Sequence, residues 1–103
     1  MDKRQFIISR VKSGISKIDS KAKIIMFGSR ARNDANKDSD WDFLILTHFP
    51  VTRELKNKIY DELFETELET EEVLTGIIQN INSWSGYSNT PIYNNILKDG
   101  IEL

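Results

Sequence analysis

Ile24-Ile25-Met26-Phe27-Gly28-Ser29-Arg30-Ala31-Arg32, followed after a polar gap by Ser39-Asp40-Trp41-Asp42-Phe43-Leu44-Ile45-Leu46, is the stretch that decides the fold. It reads as a strand, a Gly-Ser turn opening a short helix, and a second strand bearing two carboxylates. Side chains two apart on a strand share a face. Asp40 and Asp42 therefore project together, and Trp41 projects the other way. Gly28 lets backbone approach a phosphate without a Cβ clash. Ser29 offers a hydroxyl and an N–H at a helix start, where anions are favoured. Mg²⁺ takes one or two carboxylates together with substrate phosphates, so the pattern points to a site for Mg²⁺ and a triphosphate.

Working outward, Phe6/Ile7, Val11, Ile15 and Ile18 recur at helical spacing and predict a helix from about Lys3 to Ile18. Lys23 to Phe27 has the length of a buried strand ended by glycine. Ser29 to Arg32 is a short helical turn, Asn33 to Ser39 a loop, and Trp41 to Thr47 the second strand. Leu55, Ile59, Leu63, Phe64 and Leu68 predict a second amphipathic helix with Thr52 as its N-cap. Its acidic end, Glu65 to Glu72, is expected to be largely a solvated face. Val73 to Gln79 is a third strand interrupted by Gly76. Asn80 to Asn89 is mostly loop, with Trp84 and Tyr87 folded against the body. Thr90-Pro91 starts a last helix that Gly100 stops. The expectation is an α+β fold: a small mixed β-sheet with helices packed mainly on one face.

The chain of 103 residues carries a formal net charge of −2 and no cysteine. One domain over residues 1–103 is expected, with little chain left for a second substrate-binding lobe. Disulfides and thiolate metal sites are excluded. The charge balance argues against an extended nucleic-acid surface. No apolar run has membrane-spanning length, and the first residues lack the apolar core and cleavage site of a signal peptide. A cytoplasmic location is the expectation.

Nucleotidyl transfer asks for the chemistry just described. A hydroxyl attacks the α-phosphorus while pyrophosphate leaves, and two Mg²⁺ ions about 3.5–4 Å apart can stabilise both oxygens of that displacement. Asp40 and Asp42 suit the shared metal ligands, and Gly28, Ser29, Arg30 and Ser39 the nucleotide contacts. Gly28-Ser29-Arg30-Ala31-Arg32, then Asp34, then Ser39-Asp40-Trp41-Asp42, resembles the motif of the DNA polymerase β-like nucleotidyltransferase superfamily. It looks most like the minimal nucleotidyltransferases (MNT group). The order of elements out to Ile96-Leu97-Lys98-Asp99-Gly100-Ile101 is similar too.

The resemblance implies a polymerase β palm-like fold and Mg²⁺-dependent transfer of NMP, AMP from ATP before other NTPs, to a hydroxyl. It also implies a partner, because minimal nucleotidyltransferases often act as antitoxins of a small helical HEPN ribonuclease and inactivate it by transferring AMP to a tyrosine. The alternative is a catalytically weak module that binds nucleotide or partner and neutralises by direct contact. Homo-oligomers are left open.

Two positions depart from the family pattern. Asn33 stands where many relatives carry glycine, and asparagine tolerates left-handed backbone. More seriously, active members carry a third carboxylate on the next strand, where this chain reads Glu71-Glu72-Val73-Leu74-Thr75-Gly76. Glu72, or Glu71, is the candidate catalytic acid there. Another register puts Val73 or Thr75 in that place and leaves no third acid. His48 is assigned no role. Trp41, Trp84 and Tyr87 are read as packing residues, and Arg30 is favoured over Arg32 for the phosphate contact.

Overall fold

The computed structural model describes residues 2–103. Helix α1 (Lys3–Ile18) starts at Asp2, whose carboxylate accepts the Gln5 N–H at 2.8 Å and so satisfies one of the unpaired donors of the first turn. Strand β1 (Lys23–Phe27) leads through Gly28 into the single turn of α2 (Ser29–Arg32), and a polar loop returns the chain as β2 (Trp41–Thr47). Helix α3 (Arg53–Thr70) is capped by the Thr52 hydroxyl, which accepts the Leu55 N–H. Strand β3 (Leu74–Asn80), a 3₁₀ turn (Trp84–Tyr87), helix α4 (Pro91–Asp99) and strand β4 (Ile101–Glu102) complete the order. As the Thr90-Pro91 pair predicts, the Thr90 hydroxyl caps α4 by accepting the Tyr93 N–H.

The sheet runs β3-β2-β1-β4. β1 pairs antiparallel with β2 and with β4, whereas β2 and β3 are parallel. This is the expected mixed sheet of an α+β fold. β4 adds a strand that the sequence pattern did not predict; two residues are too few to show alternation, and pairing with β1 is what extends them.

Alternation along the strands divides the core in two. Ile24, Met26, Trp41, Phe43, Ile45, Leu74 and Ile78 meet Ile7, Val11 and Ile15 of α1 and Leu55, Ile59 and Leu63 of α3. Leu44 and Leu46 turn to the other face, where Ile96 of α4 covers them with Ile25, Phe27, Ile77 and Trp84 alongside. β2 is thus buried on both faces and reads as a continuous apolar run rather than an alternating one. Gly76 interrupts β3 for a packing reason: Leu63 Cδ1 lies 2.6 Å from where its Cβ would stand, so a larger residue would force the tip of the Leu63 side chain to move.

Two polar contacts tie the layers. Arg10 on α1 reaches Glu62, Glu65 and Glu69 on α3 at 3.3, 3.4 and 3.2 Å. Desolvation works against its charge, but hydrogen bonds to Glu62 and Glu69 outweigh it and hold its pKa above the ordinary value. Asp19, only 3 % exposed, accepts the His48 N–H at 2.6 Å and the Lys21 N–H at 3.0 Å, pinning the end of α1 to the end of β2. Among the described residues no helix is long and apolar enough to cross a membrane.

Candidate functional site

The register of β1 on β2 sets Phe27 opposite Asp42, so Gly28 follows directly beside that carboxylate. Gly28 has φ +77°, a conformation that side chains disfavour. The space its Cβ would fill holds Oδ2 of Asp42. The glycine is therefore required twice, by backbone conformation and by the approach of the acid. Its carbonyl accepts the Ala31 and Arg32 N–H groups at 3.0 and 3.1 Å and starts α2. The N–H groups of the first residues of a helix have no intrahelical acceptor, and Ser29, half-buried, stands at that end.

Asp40 precedes β2 by one residue, is exposed, and shares the strand parity of Asp42. Both lie on the sheet face away from α1 and α3. On that face α4 and Trp84 cover Leu44 and Leu46, and Asp42, nearer the start of β2, stays only partly buried.

The register of β3 decides what stands beside Asp42. Asp42 pairs with Thr75, and the Thr75 hydroxyl donates to Asp42 Oδ1 at 2.5 Å. Glu72, the candidate third acid, is not brought to Asp42. It accepts from Trp41 Nε1 at 3.3 Å and lies 3.8 Å from the Arg30 guanidinium and 3.9 Å from Lys3. Trp41 faces the helix side of the sheet, so this carboxylate is on the other side from Asp42. Glu71 is exposed and ends α3 in left-handed backbone, φ 59°. Of the two registers open from sequence, the structure has the one that sets the Thr75 hydroxyl, and no third acid, beside Asp42.

Arg30 packs against Trp41. Its guanidinium lies 4.3 Å from the Trp41 ring centroid, donates to the Ser39 carbonyl at 2.9 Å and pairs with Glu72, while its buried Nε has no partner. Its contacts run to the loop before β2 and to the helix face of the sheet. The Ser39 hydroxyl accepts the Asn36 N–H and shapes the loop. Arg32 pairs with Asp34 and Asp99, which raises its pKa, the hydrogen bond it donates to Asp34 foremost. Asn33 adopts φ 62°, the left-handed conformation expected of it. The sequence reading treated Trp41 as packing only; its second role, as platform for Arg30 and donor to Glu72, had no local signal beyond its place between the two aspartates.

Among the described residues no group of three or more His, Cys, Asp and Glu is placed to hold a metal by itself. Mg²⁺ does not need one, since one or two carboxylates and substrate phosphates commonly complete its shell. Asp40, Asp42 and the Gly28 cradle fit an ion shared with a triphosphate. They do not form a closed three-carboxylate cage.

Comparison with known proteins places the fold. Three solved structures share the fold. One attributed to a minimal nucleotidyltransferase aligns over 100% of this chain and 97% of its own, at 21% identity and TM-score 0.66. A toxin–antitoxin with AMP-PNP covers 98% and 72%, at 13% identity and TM-score 0.62. A mutant of the toxin–antitoxin MntA-HpeT covers 100% and 72%, at 14% identity and TM-score 0.61. No curated protein matches the chain. The family model of the nucleotidyltransferase domain matches residues 8–101, from the first helix through the glycine–aspartate site to the last strand, and the chain belongs to that family.

Proposed function

We propose that this chain binds a Mg²⁺–nucleoside triphosphate at the Gly28–Asp42 corner and transfers the NMP group, AMP from ATP, to a hydroxyl on a small helical HEPN-type toxin, as its antitoxin. The observation that carries the reading is the placement of Asp42 Oδ2 in the space left by the missing Gly28 side chain, which sets a carboxylate against a glycine turn that opens a helix. Asp40 and Asp42 would hold the ion, and Gly28 and Ser29 would orient the triphosphate. Bound there, Mg²⁺ supplies neutralisation of the charge that builds on the phosphate oxygens. The acceptor oxygen forms its bond to the α-phosphorus as the bond to pyrophosphate breaks. Thr75 keeps the Asp42 carboxylate oriented, and the acceptor proton passes to solvent because the hydroxyl of Thr75 replaces a carboxylate base. The toxin–antitoxin neighbours support the antitoxin role, and the adenine of AMP-PNP in one of them supports ATP. Incubation with labelled ATP, Mg²⁺ and the product of the adjacent reading frame is expected to label that product, and Asp42→Asn to abolish the label. Equal labelling by Asp42→Asn overturns the assignment.

A second reading rests on Thr75 itself. With a hydroxyl in place of the third acid, the module would bind nucleotide, transfer slowly, and neutralise its partner by contact. It expects the Asp40→Asn/Asp42→Asn double variant to block the partner's ribonuclease activity as fully as the native chain. A folded, partner-bound double variant that leaves the ribonuclease active excludes it.

A further inference from the structure

Helix α3 carries a second apolar row that its own fold leaves uncovered. Leu55, Ile59 and Leu63 enter the core. Displaced by one residue, Tyr60, Phe64 and Leu68 repeat at i, i+4 and i+8 and are 45, 57 and 66% exposed, and Val73 beyond the helix is 55% exposed. The flank of α3 toward α1 is taken by Glu62, Glu65 and Glu69, all held by Arg10. Helical geometry therefore puts the Tyr60–Phe64–Leu68 row on the other flank, above the open edge of the sheet that β3 forms. Glu67 on that flank accepts the Leu74 N–H at 2.9 Å. Contiguous exposed rows of large apolar side chains mark contact surfaces.

The charges along α3 indicate what covers the row. Arg53, Lys56 and Lys58 outnumber the single acid Glu54, which pairs with Lys58, in its first two turns, and Asp61, Glu62, Glu65, Glu67 and Glu69, then Glu71 and Glu72 just beyond the helix, follow without a single Lys or Arg. This order opposes the helix macrodipole, which favours acids at the N-terminus and bases at the C-terminus. Arg10 offsets Glu62, Glu65 and Glu69, and Arg30 and Lys3 offset Glu72, but no basic residue stands in the last turn of the helix. A second α3 laid antiparallel on the row would correct the mismatch: each acidic end meets a basic end, and the two dipoles oppose.

We propose that the outer flank of α3 is a homodimer interface, two copies packing antiparallel about a two-fold axis near Phe64. Tyr60 of each copy then packs on Leu68 of the other, and Lys56 of each faces Glu71 of the other. Such an interface is isologous and closes on itself, with helix axes about 8–10 Å apart. It lies on the sheet face opposite Asp42 and Thr75, so it stands or falls independently of the nucleotide site.

The absence of cysteine permits a direct test. Under mild oxidation Phe64→Cys is expected to cross-link with itself in most molecules, whereas Lys56→Cys and Glu71→Cys cross-link only when mixed. Lys17→Cys, exposed on α1, measures collisional background. Sedimentation velocity of the native chain is expected to show a reversible monomer–dimer equilibrium. Phe64→Glu/Leu68→Glu should weaken it at least tenfold with the circular-dichroism spectrum and Tm retained, because both side chains are exposed. A native chain that is monomeric at every concentration overturns the proposal. So does a dimer that survives the double substitution, or Lys56→Cys cross-linking with itself above background. A monomer whose Phe64 is protected only by a helical toxin assigns the row to that partner and equally overturns it.

Discussion

Asp42 stands where a side chain on Gly28 would have to go. The two residues are brought together by the β1–β2 register, which sets Phe27 against Asp42. Alanine at position 28 would adopt φ +77° at a cost of about 1–2 kcal/mol and displace the carboxylate. Gly28→Ala is expected to keep its circular-dichroism spectrum but to lose at least about tenfold in Mg²⁺–ATP affinity by titration calorimetry, since tenfold is only ~1.4 kcal/mol. Unchanged affinity would mean that the turn does not touch the nucleotide.

Thr75 offers a gain-of-function experiment. Thr75→Val removes one hydrogen bond to Asp42 and should lower stability by about 1 kcal/mol. Thr75→Asp installs a carboxylate beside Asp42. Two like charges at that distance disfavour each other, so its Tm should fall without metal and recover with Mg²⁺. NMP transfer should rise at least roughly tenfold, a fraction of the about 10²–10⁴-fold that a well-positioned acid–base group contributes. If transfer stays flat while Mg²⁺ still restores the Tm, a missing third acid is not what limits the rate.

Arg30, Trp41 and Glu72 behave as one clamp across the helix face of the sheet. Arg30→Ala strands Glu72 and the Ser39 carbonyl and removes the stacking on Trp41. The expected loss by denaturant titration is about 2–4 kcal/mol, toward the lower figures for breaking a largely buried pair. Glu72→Gln retains an acceptor for Trp41 Nε1 and should cost only about 1 kcal/mol, with nucleotide affinity within twofold of native. Loss of transfer in Glu72→Gln at unchanged stability would restore Glu72 to the chemistry.

Asp19 is the acceptor that joins the ends of α1 and β2. Asp19→Ala leaves the His48 and Lys21 N–H groups unpaired in a nearly closed environment, costing about 2–3 kcal/mol for hydrogen bonds to a charged group. Thermal unfolding should show it as a lowered Tm, with Asp19→Asn intermediate because one oxygen remains. A native-like Tm for Asp19→Ala would mean that water replaces the carboxylate without loss.

Most elements were readable locally. The 3.6-residue recurrence of Ile7, Val11 and Ile15, the caps at Thr52 and Thr90, Pro91 at a helix start and Gly100 at its end all act within one or two turns of chain, and the observed helices follow them. So was the shared parity of Asp40 and Asp42, because strand parity is a property of adjacent residues. β4 escaped notice because two residues carry no period.

The side of the sheet on which Glu72, Thr75 and Arg30 act was not legible in that way. Glu72 and Thr75 are three residues apart, and a shift of one position in the β2–β3 register exchanges the faces of the whole strand. That register is set by where α3 ends and how closely Leu63 seats over Gly76, contacts between segments far apart in the chain. Arg30 was similarly undetermined, since a short helix can aim it either way until Trp41 and Glu72 supply a platform and a counter-charge. Local order follows from neighbouring side chains, whereas the composition of the site follows from a competition among distant ones that only the packed chain resolves.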